Sequence, residues 1–137
     1  MSNTKVCLVI DDDPDDQEIF VMCVKKVSDN IDCRTTASGV EAISMLTTDR
    51  EFIPGYIFLD VNMPKMSGME CLQELRKIDK LKATKIFMYS TTTETIMMNE
   101  SKSFGADDFI IKPLKTSELR EKLTTIFQSS KIIGNTE

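Results

Sequence analysis

The chain has 137 residues, with 17 Lys and Arg set against 22 Asp and Glu for a formal net charge of −5. That length suits one domain, and 41% hydrophobic with 28% charged content describes an ordinary globule rather than a disordered chain. The negative balance argues against a nucleic-acid-binding face, no apolar run reaches the roughly 20 residues of a spanning helix, and the absence of His removes histidine acid/base, metal-ligand and phosphocarrier roles.

Val6 to Ile10 is a continuous apolar run, the mark of a strand covered on both faces. Asp13 then Pro14 reads as an N-cap and first-turn proline, opening a helix with Ile19, Phe20, Cys23, Val24 and Val27 on one stripe. Residues 31–37 form a more polar strand that suits a sheet edge. Ser38-Gly-Val-Glu41 has capping-box spacing and starts a second helix, with Val40, Ile43 and Leu46 facing inward. Tyr56 to Leu59 is the third strand. A loop with Pro64 leads to a second capping box, Ser67-Gly-Met-Glu70, and a helix packing Met69, Leu72 and Leu75. Lys85 to Tyr89 forms the fourth strand, about 93–104 a helix stopped at Gly105, and Phe109 to Ile111 the fifth strand, before Lys112-Pro113. The last helix shows Leu119, Leu123, Ile126 and Phe127 on one face, and residues 129–137 read as a polar tail after a domain of 1–128.

Five strands alternating with five helices predict an α/β parallel sheet covered on both faces, with chemistry beyond the carboxyl ends of its strands. The first strand ends in Asp11-Asp12, the third in Asp60, the fourth in Ser90 and the fifth in Lys112; the second ends in Thr35-Thr36-Ala37. With the second strand at an edge, the other four ends converge. Three close carboxylates repel, so either their protonation rises or a cation neutralises them. An all-oxygen set without His or Cys favours Mg²⁺ before Ca²⁺. A carboxylate beside such an ion can attack phosphorus to give an aspartyl phosphate. Ser90 and Lys112 then supply a hydrogen bond and a positive charge to the phosphoryl oxygens.

These residues resemble the receiver domain of two-component response regulators. The resemblance runs from about residue 5 to 128 and rests on Val-Ile-Asp-Asp at 9–12, Leu-Asp-Val-Asn-Met-Pro at 59–64, Ser90 after a strand, and the run from Gly105 to Pro113. It implies a flavodoxin-like, doubly wound, five-stranded sheet in the order 2-1-3-4-5. It also implies a phosphoryl group received from the histidine of a sensor kinase or histidine phosphotransfer protein. By the same resemblance, Asp60 is the phosphoacceptor, Asp12 a direct Mg²⁺ ligand and Asp11 the acid holding a metal-bound water. Asn62 lends its backbone carbonyl to the ion. Ser90 is the switch hydroxyl, Lys112 the phosphate-binding cation and Phe109 the aromatic that changes rotamer. A cis peptide before Pro113 is implied, and Thr91 stands where a small Ala is usual, which bears on access to Asp60.

The run from Asp11 to Phe20 looks like stand-alone receivers, and nothing after residue 128 reads as an output domain. The expected output is therefore a switched face, formed by the helix near 93–104, Phe109 and the final helix, that binds a second copy or a downstream protein. No export signal precedes the first strand, so a cytoplasmic address is expected. A signalling domain rather than an enzyme is the reading.

Two rivals share part of the pattern. Leu8-Val-Ile-Asp-Asp-Asp13 resembles the strand and Asp-x-Asp of haloacid-dehalogenase-like phosphatases, but Lys112 follows Asp107-Asp108 where that family's lysine precedes its last acidic motif. A phosphorylation-independent module of the same fold would show loss of an acid, the hydroxyl or the lysine, and none is lost. Nucleotide-binding motifs are absent. Asp13 reads as a helix cap, Asp15, Asp16 and Glu18 as first-turn acids favoured by the helix dipole, and Asp107-Asp108 as a turn. Met97-Met98 read as helix packing. Cys7, Cys23, Cys33 and Cys71 have neither CxxC nor zinc-like spacing and read as reduced, mostly buried small residues.

Overall fold

Parallel pairing organises the chain, for which a computed structural model describes the backbone over residues 5–135 and side chains over residues 5–128. Strand β1 (Lys5–Ile10) pairs with β2 (Ile31–Thr36) on one side and β3 (Tyr56–Leu59) on the other. Strands β4 (Lys85–Ser90) and β5 (Asp108–Ile111) complete a five-stranded sheet in the expected order, β2-β1-β3-β4-β5. The continuously apolar runs of β1 and β3 are central because both of their faces must be covered. Polar β2 lies at the edge, with Thr36 its one buried residue.

The two faces bury alternate residues of each strand. Leu8, Ile10, Ile57 and Leu59 point to the side packed by α2 (Gly39–Thr48), α3 (Gly68–Arg76) and α4 (Thr95–Ser103). Cys7, Val9, Tyr56 and Phe58 point to the side packed by α1 (Pro14–Val27) and α5 (Thr116–Asn135). On that second side Phe20 sits 4.7 Å from Phe58 and 5.3 Å from Tyr89 between ring centroids. Among the described residues, no helix is long and apolar enough to cross a membrane.

Local signals explain the helix starts. The Asp13 carboxylate accepts the N–H groups of Asp15 and Asp16, and Pro14 sits in the first turn of α1. Ser67 and Glu70 form the reciprocal capping box of α3, while Ser38 Oγ accepts the Glu41 N–H at 3.1 Å. Gly105 follows α4 with φ 106°, a left-handed conformation open to glycine.

Four expectations are corrected. Ile19 is 39% exposed and Val40 57%, so both lie off the buried stripes. In α1 the stripe is Phe20, Cys23 and Val24. In α2 it is Gly39, Ala42 and Leu46, because a Cβ on Gly39 would stand only 3.0 Å from Met66 Sδ and 3.1 Å from Cys71 Sγ. That close approach turns Val40 outward. The peptide before Pro113 is trans, the form an X–Pro bond prefers unless its surroundings enforce the other. Asp107 is more than a turn residue: its Oδ2 accepts the Ile86 N–H at 2.8 Å and the Arg76 Nη2–H at 3.0 Å. Helix α5 continues to Asn135, past the last residue of its apolar stripe, and residues 136 and 137 lie outside the described residues.

Arg76 completes that arrangement by donating to the carbonyls of Gly105 at 2.8 Å, Leu81 at 3.0 Å and Thr84 at 3.2 Å. One planar guanidinium thus ties α3 to the connection that precedes β4 and to the one that precedes β5. Arg76→Ala is expected to cost about 2–3 kcal/mol in urea unfolding, since it strips partners from part-buried carbonyls and a carboxylate. A loss below about 0.5 kcal/mol would mean that water replaces the guanidinium freely.

Candidate functional site

The strand ends that carry chemistry are held in register by their own backbone. Asp11 N–H donates to Thr36 O at 3.1 Å, Asp60 N–H to Ile10 O at 2.9 Å, and Lys112 N–H to Ser90 O at 2.8 Å. Each residue is therefore fixed by the strand beside it, and all lie at the carboxyl edge of the sheet. Carboxylate oxygens of Asp11, Asp12 and Asp60 all fall within 4.8 Å of one another. Asp11 and Asp60 are buried and Asp12 is exposed, so the cluster opens to solvent on one side.

The Lys112 ammonium answers this charge. It donates to Asp11 Oδ2 at 3.0 Å and to Asp16 Oδ2 at 2.8 Å, stands 3.7 Å from Asp60 Oδ2, and lies 5.3 Å from the centroid of the Tyr89 ring. Burial alone would lower its pKa, but hydrogen bonds to Asp16 and Asp11 and the charge of Asp60 raise it above the ordinary lysine range. It stays a cation at neutral pH.

Asp60 is pushed up to about 6, first by burial, with the charges of Asp11 and Asp12 adding to it; Lys112 and the Asn62 N–H act in the opposite direction. The folded state therefore binds a proton more readily than the unfolded chain. Its stability contribution is present below the unfolded carboxylate pKa and is lost as pH rises through about 6. In metal-free buffer, wild type should lose about 2–3 kcal/mol relative to Asp60→Asn between pH 4 and pH 7. Parallel stability profiles for the two proteins in urea would contradict this.

The loop that follows Asp60 is shaped by two backbone features. A Cβ on Gly68 would lie 2.1 Å from Asp60 O and 2.7 Å from Val61 Cα, and Gly68 N–H donates to Val61 O at 2.8 Å. Only glycine lets the start of α3 press so close to the loop. Lys65 adopts φ 68°, in a tight turn closed by the Met66 N–H on Pro64 O at 2.8 Å.

Of the expected residues, Asp11, Asp12, Asp60 and Lys112 come together directly. Ser90 is fully buried at the end of β4, where its Oγ accepts the Thr92 N–H at 3.4 Å. Asn62 is exposed beside Asp60, Thr91 is exposed, and Phe109 is half-buried against the α2–α3–α4 side of the core. Asp13 caps its helix, as read. Gln17 was not foreseen: its Nε2 donates to Asp11 O at 2.6 Å and Thr36 O at 3.1 Å, pinning the two strand ends. The helix dipole does not exhaust the role of Asp16, whose Oδ2 accepts from the Lys112 ammonium at 2.8 Å. The four Cys are free, and burial pushes the Cys71 thiol up to about 12, which favours the inert thiol.

The acid cluster fits a hard divalent cation: its donors are all oxygen, they lie close together, and burial, with the charges of Asp11 and Asp12 adding to it, disfavours the ionised form of Asp60 until a cation compensates it. Asp11 Oδ1 already accepts the Asp13 N–H at 2.9 Å and Oδ2 faces Lys112, whereas Asp12 is open to the solvent.

A family model described as the response regulator receiver domain matches residues 7–124. The chain is 36% identical over 119 residues to a probable C4-dicarboxylate response regulator, DctR, of Bacillus subtilis, covering 85% of this chain and 49% of that protein. It is 32% identical over 98 residues to the chemotaxis protein CheY of Thermotoga maritima, covering 66% of this chain and 80% of that one. The solved structure of Vibrio cholerae CheY4 superposes with a TM-score of 0.77 at 27% identity, covering 89% of this chain and 98% of that one. The chain spans about half the length, or less, of most of the curated relatives it matches.

Proposed function

This chain belongs to the response regulator receiver domain family of two-component signalling, and from that membership we propose that Asp60 accepts a phosphoryl group from a partner's phosphohistidine in a Mg²⁺-dependent reaction. The observation that carries the reading is Asp60 itself, a buried carboxylate at the end of a central strand, with oxygens of Asp11 and Asp12 within 4.8 Å and the Lys112 ammonium 3.7 Å away. In the transfer, the P–N bond of the donor breaks and an O–P bond forms on the Asp60 carboxylate.

Asp11, Asp12, Asp60 and the Asn62 carbonyl are the groups that would hold the ion. When bound, Mg²⁺ supplies charge neutralisation for the acids and for the phosphoryl oxygens. Lys112 holds positive charge beside the acceptor, and burial of the cleft floor strengthens that attraction. Ser90, at the end of the neighbouring strand, offers its hydroxyl to a phosphoryl oxygen. The added group brings about −1.5 to −2 charges to the cleft. Ser90 moves towards it, Phe109 turns into the space released, and the face formed by α4, Phe109 and α5 gains affinity for a second copy or a downstream protein. The partners are thus a histidine kinase or histidine phosphotransfer protein and a protein target, in the cytoplasm.

The test is transfer from a labelled phosphohistidine protein. Label should pass to this chain with Mg²⁺ present and be released by hydroxylamine, as an acyl phosphate is. Label that stays on the donor, or that resists hydroxylamine on this chain, would overturn the proposal.

A further inference from the structure

Lys112 makes its shortest hydrogen bond to a residue outside the acid cluster. Its ammonium has three donors. One goes to Asp11 at 3.0 Å, one to Asp16 at 2.8 Å, and the remaining direction faces Asp60 at 3.7 Å, too far for a good direct bond. Asp16 stands in the first turn of α1, whose position is fixed by the Asp13 cap and by Gln17 bonded to Asp11 O and Thr36 O. It is not among the carboxylates that converge within 4.8 Å. Asp11 therefore serves both the acid cluster and Lys112, whereas Asp16 serves Lys112 alone.

We propose that Asp16 is a positioning residue for phosphorylation: it anchors the Lys112 ammonium so that its free N–H is presented to the phosphoryl oxygens arriving at Asp60. The inference rests on the reading of Asp60 as acceptor. Its physical content is a division of labour. A cation that draws on Asp11 weakens the hold of Asp11 on Lys112, and Asp16 keeps the ammonium in place. The Lys112 side chain is only 11% exposed and that of Asp16 36%, so the ammonium end of the pair is sheltered from water while the carboxylate is partly screened by it. An aspartate at this place is therefore more than a favourable first-turn charge.

The test uses the full chain and its Asp16→Asn and Asp16→Glu variants, with phosphoramidate as donor at saturating Mg²⁺. The donor's P–N bond breaks, ammonia leaves, and an O–P bond forms on Asp60. Asp16→Asn should react roughly tenfold more slowly, the scale of one charge-assisted hydrogen bond. Asp16→Glu should recover part of the rate, and Mg²⁺ affinity, followed by NMR titration, should be unchanged in both. Melting curves fix a temperature at which all three proteins are folded. A rate for Asp16→Asn equal to wild type would mean an inconsequential surface ion pair. A faster rate would mean that Asp16 competes with the phosphoryl group for Lys112. Either result overturns the inference and leaves the acceptor assignment standing. A wild-type protein that takes up no phosphoryl group overturns the acceptor assignment, and the inference with it.

Discussion

Asp60→Asn is expected to take up no phosphoryl group from a phosphohistidine protein or a small phosphodonor, while folding at least as stably as the wild type. Asparagine keeps the shape of the side chain and removes the nucleophilic oxygen, so the chemical loss is complete rather than partial. Stability moves the other way. Asp60 is buried beside Asp11 and Asp12, and its carboxyl is pushed up to about 6, so a neutral amide removes a charge the fold disfavours at neutral pH. Urea unfolding at pH 7 in chelator should show the variant more stable by about 2–3 kcal/mol. Undiminished labelling of the variant would place the acceptor elsewhere. Lower stability would mean that the Lys112 contact outweighs the desolvation of Asp60.

The second large effect is that of the divalent cation. EDTA, or Asp12→Ala, should slow phosphorylation by roughly a hundredfold or more, because charge that develops on the phosphoryl oxygens meets uncompensated carboxylates. Asp12→Ala should at the same time stabilise the metal-free fold, by at most about 1 kcal/mol because Asp12 is exposed and screened by water. Opposite signs for reactivity and stability distinguish a metal site from a structural acid pair. Equal rates in chelator and in Mg²⁺ would refute the metal requirement.

What could be read from the sequence was what is local. The unbroken apolar runs of β1 and β3 forced central strands, the polar run at 31–37 forced an edge, and a strand ending in Asp11-Asp12 beside one ending in Asp60 then had to bring three acids together. Asp13-Pro14 and Ser67-Gly-Met-Glu70 declared their caps because capping chemistry spans only three residues.

What escaped was set by contacts far apart in the chain. Asp16 meets Lys112 across 96 positions, and Arg76 meets Asp107 across 31, so neither pair leaves a spacing to notice. Gly68 looked like the second residue of a capping box, yet its lack of a side chain is what lets α3 lie against the Asp60 loop. Val40 misled because apolar spacing alone does not say which side of a short helix packs. The approach of Gly39 to Met66 and Cys71 decided it. Gln17 could have been suspected as an amide one turn into the helix behind the acid pair, but its two carbonyl partners appear only once β1 and β2 are paired.

The decisive question is whether Asp60 forms an aspartyl phosphate with help from a divalent ion. Intact mass of the full chain after phosphoramidate treatment, with and without Mg²⁺, tests it most directly. The expected result is a gain of one phosphoryl group with Mg²⁺, little gain in chelator, reversal by hydroxylamine, and no gain for Asp60→Asn. An unmodified wild-type chain in the presence of Mg²⁺, or the same gain in the Asp60→Asn variant, would contradict it.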